Sequence, residues 1–330
     1  MAARSGRSSG RPSNRLHGQK NGPSDDPGAD WRSYPLLPPE PASVGCVTRD
    51  LQPGVKMAVR DARILILCKT YPSPSAKYAE TSCVAGLDAT GALIRLYPVP
   101  FRLIGDDAQF KKWQWIDAKV AKATDDHRPE SHRLYVDTIK RDAEPISTKR
   151  GWSDRRKAIA DLAVHEDFSA LDLQRQTAKA TLGLVRPTRI VGLDIAPVQS
   201  PTWSSEEHAK LVQLQTQGGL FDDSDAKAVT TLRKLPFDFH YRYECVIDGQ
   251  LRSYRHKIVD WEAGALFWNV HRQHGEAWER PFRAKMEEDL PSKDLMFLMG
   301  TIHRFPDQWL IVSLLYPPKV APNPQGQLFG

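Results

Sequence analysis

The chain has 330 residues, 40% of them hydrophobic and 26% charged, enough apolar material for one large or two small cores. Forty-six Lys/Arg against 40 Asp/Glu give a formal net charge of +6, which permits a nucleic-acid partner without requiring one. The four cysteines, Cys46, Cys68, Cys83 and Cys245, have no C-x-x-C or other paired spacing, which argues against a disulfide scaffold or cysteine zinc site and for a reducing cytoplasm.

Residues 1–57 are rich in Ser, Gly, Pro and Arg, lack periodic hydrophobes and carry eight Lys/Arg against five Asp/Glu. Such a segment cannot repay its ordering entropy. It reads either as a disordered basic arm or as an extension upstream of the true start. It has no apolar h-region for export, and no apolar run in the chain approaches the ~20 residues of a membrane helix, so a cytoplasmic protein is expected.

Residues 63–69, RILILCK, form a short apolar run that predicts a buried strand. After the Pro/Ser loop YPSPSAKYAE, residues 83–102 predict strand, turn and strand, with Asp88-Ala89-Thr90-Gly91 as the turn. Another strand is expected over 113–121. Short strands with tight turns within ~80 residues suggest a small barrel, placed at 58–145. Ser153 then stands as the N-cap of a helix with Ile159 and Leu162 or Ala163 on one face. A helix over 169–181 and a strand over 189–195 complete a helical segment plus strand at 146–199. Residues 200–232 read as a polar linker with one helix at 205–215.

Residues 237–247, FDFHYRYECVI, alternate cleanly, and Asp248-Gly249 predicts a hairpin turn into 251–256. Helical spacing returns over 258–273. Trp278, Phe282, Met286 and Leu290 recur every fourth residue, the stripe of a second amphipathic helix. DLMFLMGTIH and QWLIVSLLY, joined by RFPD, form the last strand pair. Residues 233–316 are thus a mixed α+β region of antiparallel hairpins and two helices, 317–330 a flexible tail, and the fold class is α+β.

The stretch CVAGLDATGALIRLYPV resembles the opening of bacterial proteins with a dual-OB-type domain, where a C-x-A-G-x-D strand precedes a turn Gly and an apolar-Ile-Arg strand ending near proline. The resemblance covers about residues 63–121 and implies an OB-like β-barrel that faces nucleic acid. The remainder, from LGLVRPTRI to the final hairpin, resembles an uncharacterised bacterial family.

Two polar segments share the pattern Gln-x-x-Leu-Phe: Gln217 with Leu220 and Phe221, and Gln325 with Leu328 and Phe329. The pattern resembles the peptide by which bacterial DNA enzymes dock on the replicative sliding clamp. A Leu-Phe pair enters an apolar pocket while the Gln hydrogen-bonds at its rim. Both copies carry Gly after the Gln, a departure that lowers the expected affinity. Apolar closure of a loop is the alternative.

Lys69, Lys77, Arg95, Tyr97, Phe101, Arg102, Lys111, Lys112, Trp113 and Trp115 interleave cations with aromatics in the predicted barrel. A single-strand groove needs this mixture, cations for phosphates and flat rings for bases, and alternation puts Arg95 and Tyr97 on one face. The competing reading is a packed core of aromatics with solvated lysines. In RHKIVDWEAG, His256, Asp260 and Glu262 meet at a strand–helix junction, where they could hold a divalent metal or act as acid and base. The simpler reading makes Asp260 a helix cap and sets Glu262 against the helix dipole. His271 and His274 share a helix face, and His303 ends a strand.

H-E-x-x-H, H-x-E…P-C-x-x-C, G-x-x-x-x-G-K-[ST], G-x-G-x-x-G after a strand and G-x-S-x-G are all absent. Metalloprotease, zinc-deaminase, P-loop, Rossmann and α/β-hydrolase chemistry therefore lack support. The leading expectation is a DNA-associated accessory protein that binds DNA or RNA through the barrel and is recruited to the sliding clamp by its tail, with no cofactor. Two alternatives stay open. One is a metal-dependent nuclease or nucleic-acid-modifying enzyme using His256, Asp260 and Glu262. The other is a non-catalytic subunit of a defence or DNA-modification complex.

Overall fold

A computed structural model describes residues 58–75, 79–206 and 233–320. Lys77, Gln217, Leu220, Phe221, Gln325, Leu328 and Phe329 lie outside them. The first half contains β1 (Val59–Lys69), β2 (Ser73–Ser75), β3 (Ala79–Asp88), β4 (Leu93–Val99), β5 (Trp115–Lys122), β6 (Ser131–Leu134) and β7 (Lys140–Arg141). Its sheet runs β1-β3-β4-β6-β5, and β5 pairs back onto β1. Only the β4–β6 pairing is parallel. Setting β2 and β7 aside, five strands in the spatial order first, second, third, fifth, fourth close into an OB-like barrel, as expected.

The run RILILCK stays apolar because β1 is covered on both faces. Ile64 and Ile66 join Val84, Ile94, Leu96, Ile116 and Val120 in the barrel core, while Leu65 and Leu67 face the other half of the molecule. The residues that carry the sequence resemblance have local reasons. A Cβ on Gly86 would lie 2.0 Å from the Leu65 carbonyl oxygen, so no larger residue fits where β3 crosses β1. The Asp88 carboxylate accepts from the backbone N–H of Thr90 at 2.9 Å and of Ala92 at 3.3 Å, an Asx turn that Gly91 completes at φ +81°.

The second half begins with α1 (Lys149–Ala158), whose first turn is left-handed at Arg150, Gly151 and Trp152, so the right-handed run starts at Ser153. Then come β8 (Val164–His165), α2 (Phe168–Ala178), β9 (Leu182–Val185), β10 (Arg189–Pro197), β11 (Phe237–Ile247), β12 (Gln250–Ile258), α3 (Trp261–His274), α4 (Glu279–Arg283), a π-helical turn (Ala284–Asp289), β13 (Met296–Thr301) and β14 (Trp309–Leu315). The sheet order is β10-β11-β12-β14-β13-β9-β8. Only Arg186, Pro187 and Thr188 separate β9 from β10, so the two are halves of one interrupted strand. β9 pairs with β13 and β10 with β11. Proline has no N–H to give a ladder, which accounts for the break; the flanking Arg186 and Thr188 donate to His165 and Glu244 carbonyls. Counted as one strand, the order is again first, second, third, fifth, fourth. A second OB-ordered barrel therefore follows the first, built from residues on both sides of the segment read as a linker.

The interior of this second barrel holds Leu193, Phe239, Tyr241, Tyr243, Phe297, Met299 and Ile311, and the expected stripe Trp278, Phe282, Met286 and Leu290 is buried against the same core. A third apolar cluster joins the barrels. Leu65, Leu67, Ala85, Leu87 and Trp113 of the first meet Leu182, Leu184, Met296, Leu298, Val312 and Leu315 of the second. Each such leucine contributes about 1.5–3 kcal/mol when fully buried, so the two barrels form one body. The contact is head to tail: the first-second-third strand face of one barrel lies on the first-fourth-fifth strand face of the other. No helix among the described residues is long and apolar enough to cross a membrane.

Candidate nucleic-acid interface

The head-to-tail contact decides what becomes of the groove expected on the first barrel. Arg95 is 2% exposed, and its Nη2 donates to the Thr181 carbonyl at 2.9 Å across the interface. It is an internal strut and shares no open face with Tyr97, which is exposed. Lys112 is buried, donating to the Leu314 carbonyl at 2.8 Å and Glu262 at 3.1 Å. Desolvation, which would lower its pKa, is outweighed by Asp260 and Glu262, so it is raised and stays charged. Trp113 packs in the interface with Trp152, ring centroids 5.8 Å apart. Lys69 lies half-buried with its Nζ 3.9 Å from the Phe101 ring centroid and 5.1 Å from that of Trp261. Burial lowers its pKa to about 8 despite Glu262 and Asp260 nearby. Phe101 is core, Trp115 carries the Arg63 guanidinium 5.4 Å over its ring, Arg102 is half-buried, and Lys111 is exposed. Arg95, Lys112 and Trp113 thus belong to the internal contact between the barrels, while Tyr97 and Lys111 stay exposed.

The junction residues also separate. Asp260 caps α3, accepting from the Glu262 N–H at 2.8 Å, and reaches β14 through the Leu314 N–H at 2.7 Å and Ser313 Oγ at 3.2 Å. Glu262 turns to Lys112. His256 lies instead on the inner face of the second barrel, 3.1 Å from Tyr243 Oη and tilted against Phe168 with ring centroids 4.4 Å apart; burial pushes it down to about 4. The capping reading fits this geometry. Among the described residues no group of three or more His, Cys, Asp and Glu is placed to hold a metal ion. His271 packs beside Phe267 and Trp268, His274 is exposed at the end of α3, and His303 stands on the β13–β14 loop, 4.0 Å from Asp126.

Among the described residues one OB face is left uncovered: the outer surface of β10, β11 and β12. The alternation that buries Phe239, Tyr241 and Tyr243 turns Asp238, His240, Arg242 and Glu244 outward, and β12 adds Arg255 and Lys257. Arg242 and Arg255 are register partners, and both donate to one carboxylate, Asp194 on β10, at 2.8 and 2.7 Å. Burial alone would raise Asp194, but these hydrogen bonds hold it below the usual carboxylate range. Lys257 pairs with Asp238 at 2.7 Å, and Arg189 with Glu244. Val191 on β10 is exposed, and exposed Val246 and Leu251 pair near the β11–β12 turn. Isolated surface pairs are worth about 0–1 kcal/mol; here two guanidiniums share the one carboxylate of Asp194.

The connections beside this face supply rings. The β13–β14 loop presents His303, Arg304 and Phe305, the phenyl ring 41% exposed. At the described ends of the β10–β11 connection, Lys234 sits 5.0 Å over Trp203, and Arg233 lies 3.6 Å over Trp268 of α3. Arg242, Arg255 and Phe305 were not singled out from sequence, although the alternation of FDFHYRY already put Arg242 on the face away from the aromatics.

Two family descriptions divide the chain where the barrels divide. "Domain of unknown function (DUF8758)" matches residues 60–161 and "Domain of unknown function (DUF8757)" residues 164–330. No curated protein matches the chain significantly. Among solved structures, a Replication Protein A heterotrimer bound to ssDNA is similar at 11% identity and a TM-score of 0.21, covering 79% of this chain and 66% of that one, a likeness too slight to bear on function. By the match over its second barrel and tail, the chain belongs to the family described as Domain of unknown function (DUF8757).

Proposed function

We propose that the protein binds single-stranded nucleic acid on the outer face of β10, β11 and β12, between the β10–β11 connection and the β13–β14 loop. The observation that carries this reading is the head-to-tail packing. Of two OB-ordered barrels, one has its second-third strand face closed by the other, and the remaining face carries Arg189, Arg242, Arg255 and Lys257. OB barrels hold oligonucleotides on that face and on the first-second and fourth-fifth loops. Cations track the backbone while rings such as Phe305 stack on bases, whatever their sequence. A fold alone does not assign a function; the charges and rings on this face support the reading. Photocrosslinking of a bromodeoxyuridine-substituted oligonucleotide, with peptide mapping, should place crosslinks within 237–258 and 302–308. Crosslinks confined to 115–141, on the back of the first barrel, would refute the assignment.

The accessory role belongs to the same proposal and rests on the sequence pattern of the tail. Gln325, Leu328 and Phe329 recruit the protein to a bacterial sliding clamp, a partner met through a few buried apolar anchors. A peptide spanning 319–330 is expected to bind the clamp with a dissociation constant in the micromolar range, about −7 to −8 kcal/mol. Leu328→Ala with Phe329→Ala should abolish that binding in the full-length protein. Equal titrations of the clamp by both proteins, or binding by neither, would remove the clamp from the account.

A further inference from the structure

The barrels also flank an open cleft of about 910 Å³ that shares only the β13–β14 loop with the open face. One wall is the β5–β6 loop of the first barrel, another the β13–β14 loop of the second, and the floor follows the end of α2 through Thr181. Both loops are fourth-to-fifth strand connections, a ligand-holding part of OB barrels. Head-to-tail packing sets them opposite each other.

The walls are braced by polar bonds, most of them at least partly buried. Arg128 grips Asp126 with Nη2 at 2.6 Å and Nε at 2.9 Å, and crosses to the Thr301 carbonyl of the second barrel at 2.6 Å. Burial would raise Asp126, but the hydrogen bonds from Arg128 and Ser131 hold it well below the usual carboxylate range. Glu130 accepts from the Thr181 N–H at 2.6 Å and the Leu182 N–H at 2.9 Å. Arg175 is held by Asp172 at 2.8 Å and Asp307 at 2.7 Å. Both arginines are thus already neutralised.

Lys179 is not. It closes α2 in a left-handed conformation at φ +60°, is exposed, lines the cleft, and has no ion-pair partner among the described residues. Pro129 and Pro306 bring one pyrrolidine ring from each loop, and His127 and His303 bring one imidazole from each. The cleft therefore combines an uncommitted cation, flat surfaces from two sides, and an acceptor in Asp307 that Arg175 fixes. Its volume falls within the roughly 300–1,000 Å³ of small-molecule sites and far exceeds a bare phosphate.

From this arrangement we infer that the cleft takes one nucleotide unit, its base flat against the proline and imidazole rings and its phosphate on Lys179. The unit is either a free nucleotide or the phosphorylated end of a strand, which present the same chemistry. The test titrates full-length protein with adenosine monophosphate, with inorganic phosphate, and with oligothymidylate bearing or lacking a 5′-phosphate. Adenosine monophosphate binding that weakens at least tenfold in both Lys179→Glu and His303→Ala, with inorganic phosphate binding far more weakly, assigns a nucleotide site. A gain from the 5′-phosphate that the same variants lose assigns strand ends; no such gain assigns the free nucleotide. If neither the mononucleotide nor the terminal phosphate distinguishes wild type from these variants, or if inorganic phosphate binds as well as the nucleotide, the inference is overturned. Arg242→Ala with Arg255→Ala should leave mononucleotide binding intact, so this site and the open face can fail separately.

Discussion

Lys69 shows at the scale of one residue how a plausible nucleic-acid contact becomes an internal group. Its ammonium lies among Phe101, Phe110 and Trp261, and burial lowers its pKa to about 8 from the ordinary 10.5. The folded value lies below the unfolded one, so holding the charge weakens the fold. The weakening is fully present below pH 8 and disappears as pH rises past 10.5. A gap of that size corresponds to about 3 kcal/mol, less about 1 for the cation–π contacts and up to about 1 for the hydrogen bond that Lys69 Nζ donates to the Phe110 carbonyl at 3.1 Å. Lys69→Met should therefore stabilise the protein at pH 7 by about 1–2 kcal/mol, read as a higher Tm, with the advantage gone near pH 10.5. A variant less stable at pH 7, or a gap that does not close with pH, would show that the aromatic contacts outweigh desolvation. Residue type told part of this story. Asp260 as a helix cap was legible because the cap is local, four residues after His256 and two before Glu262. The inward turn of Arg95 was not, because its partner Thr181 is 86 residues away.

Elements were most legible where pattern and turn chemistry coincide. The alternation of 237–247 and the Asp248-Gly249 turn appear as read, and the fourfold stripe from Trp278 to Leu290 is buried, although it runs over a 3₁₀ turn, α4 and a π-helical turn rather than one α-helix. Short strands that depend on distant neighbours were not seen. SHRL of β6 is polar, yet it completes the first barrel by pairing with β4 and β5. The second barrel stayed hidden because its first strand is broken at Pro187, so that LGLV and RIVGLDIAP look like separate pieces. The loops show the same dependence on distance. Arg128 holds its own loop through Asp126 and the other barrel through Thr301. Arg128→Ala strands a buried carboxylate, a change that typically costs about 3–5 kcal/mol. Thermal unfolding should show a Tm lower by about 6 °C or more. A shift under a degree or two would mean that the loops are held by other contacts.

At the scale of the whole molecule, two barrels of one strand order are stacked so that the face buried in the first is the face exposed in the second. Neither composition nor motif discloses that arrangement; it follows from which leucines lie outside each barrel, and it moves the proposed nucleic-acid face from the first half to the second. Ionic strength tests the relocation most directly, because each phosphate neutralised on a single strand contributes about −0.7 to the slope of log K against log salt. Oligothymidylate binding should be measured between low and physiological salt for wild type, Arg242→Ala with Arg255→Ala, and Lys119→Ala with Lys140→Ala on the back of the first barrel. The account predicts a slope shallower by about 1.4 for the second-barrel pair, from two lost phosphate contacts, and an unchanged slope for the first-barrel pair. A slope unaltered by losing Arg242 and Arg255, or flattened instead by losing Lys119 and Lys140, would contradict it.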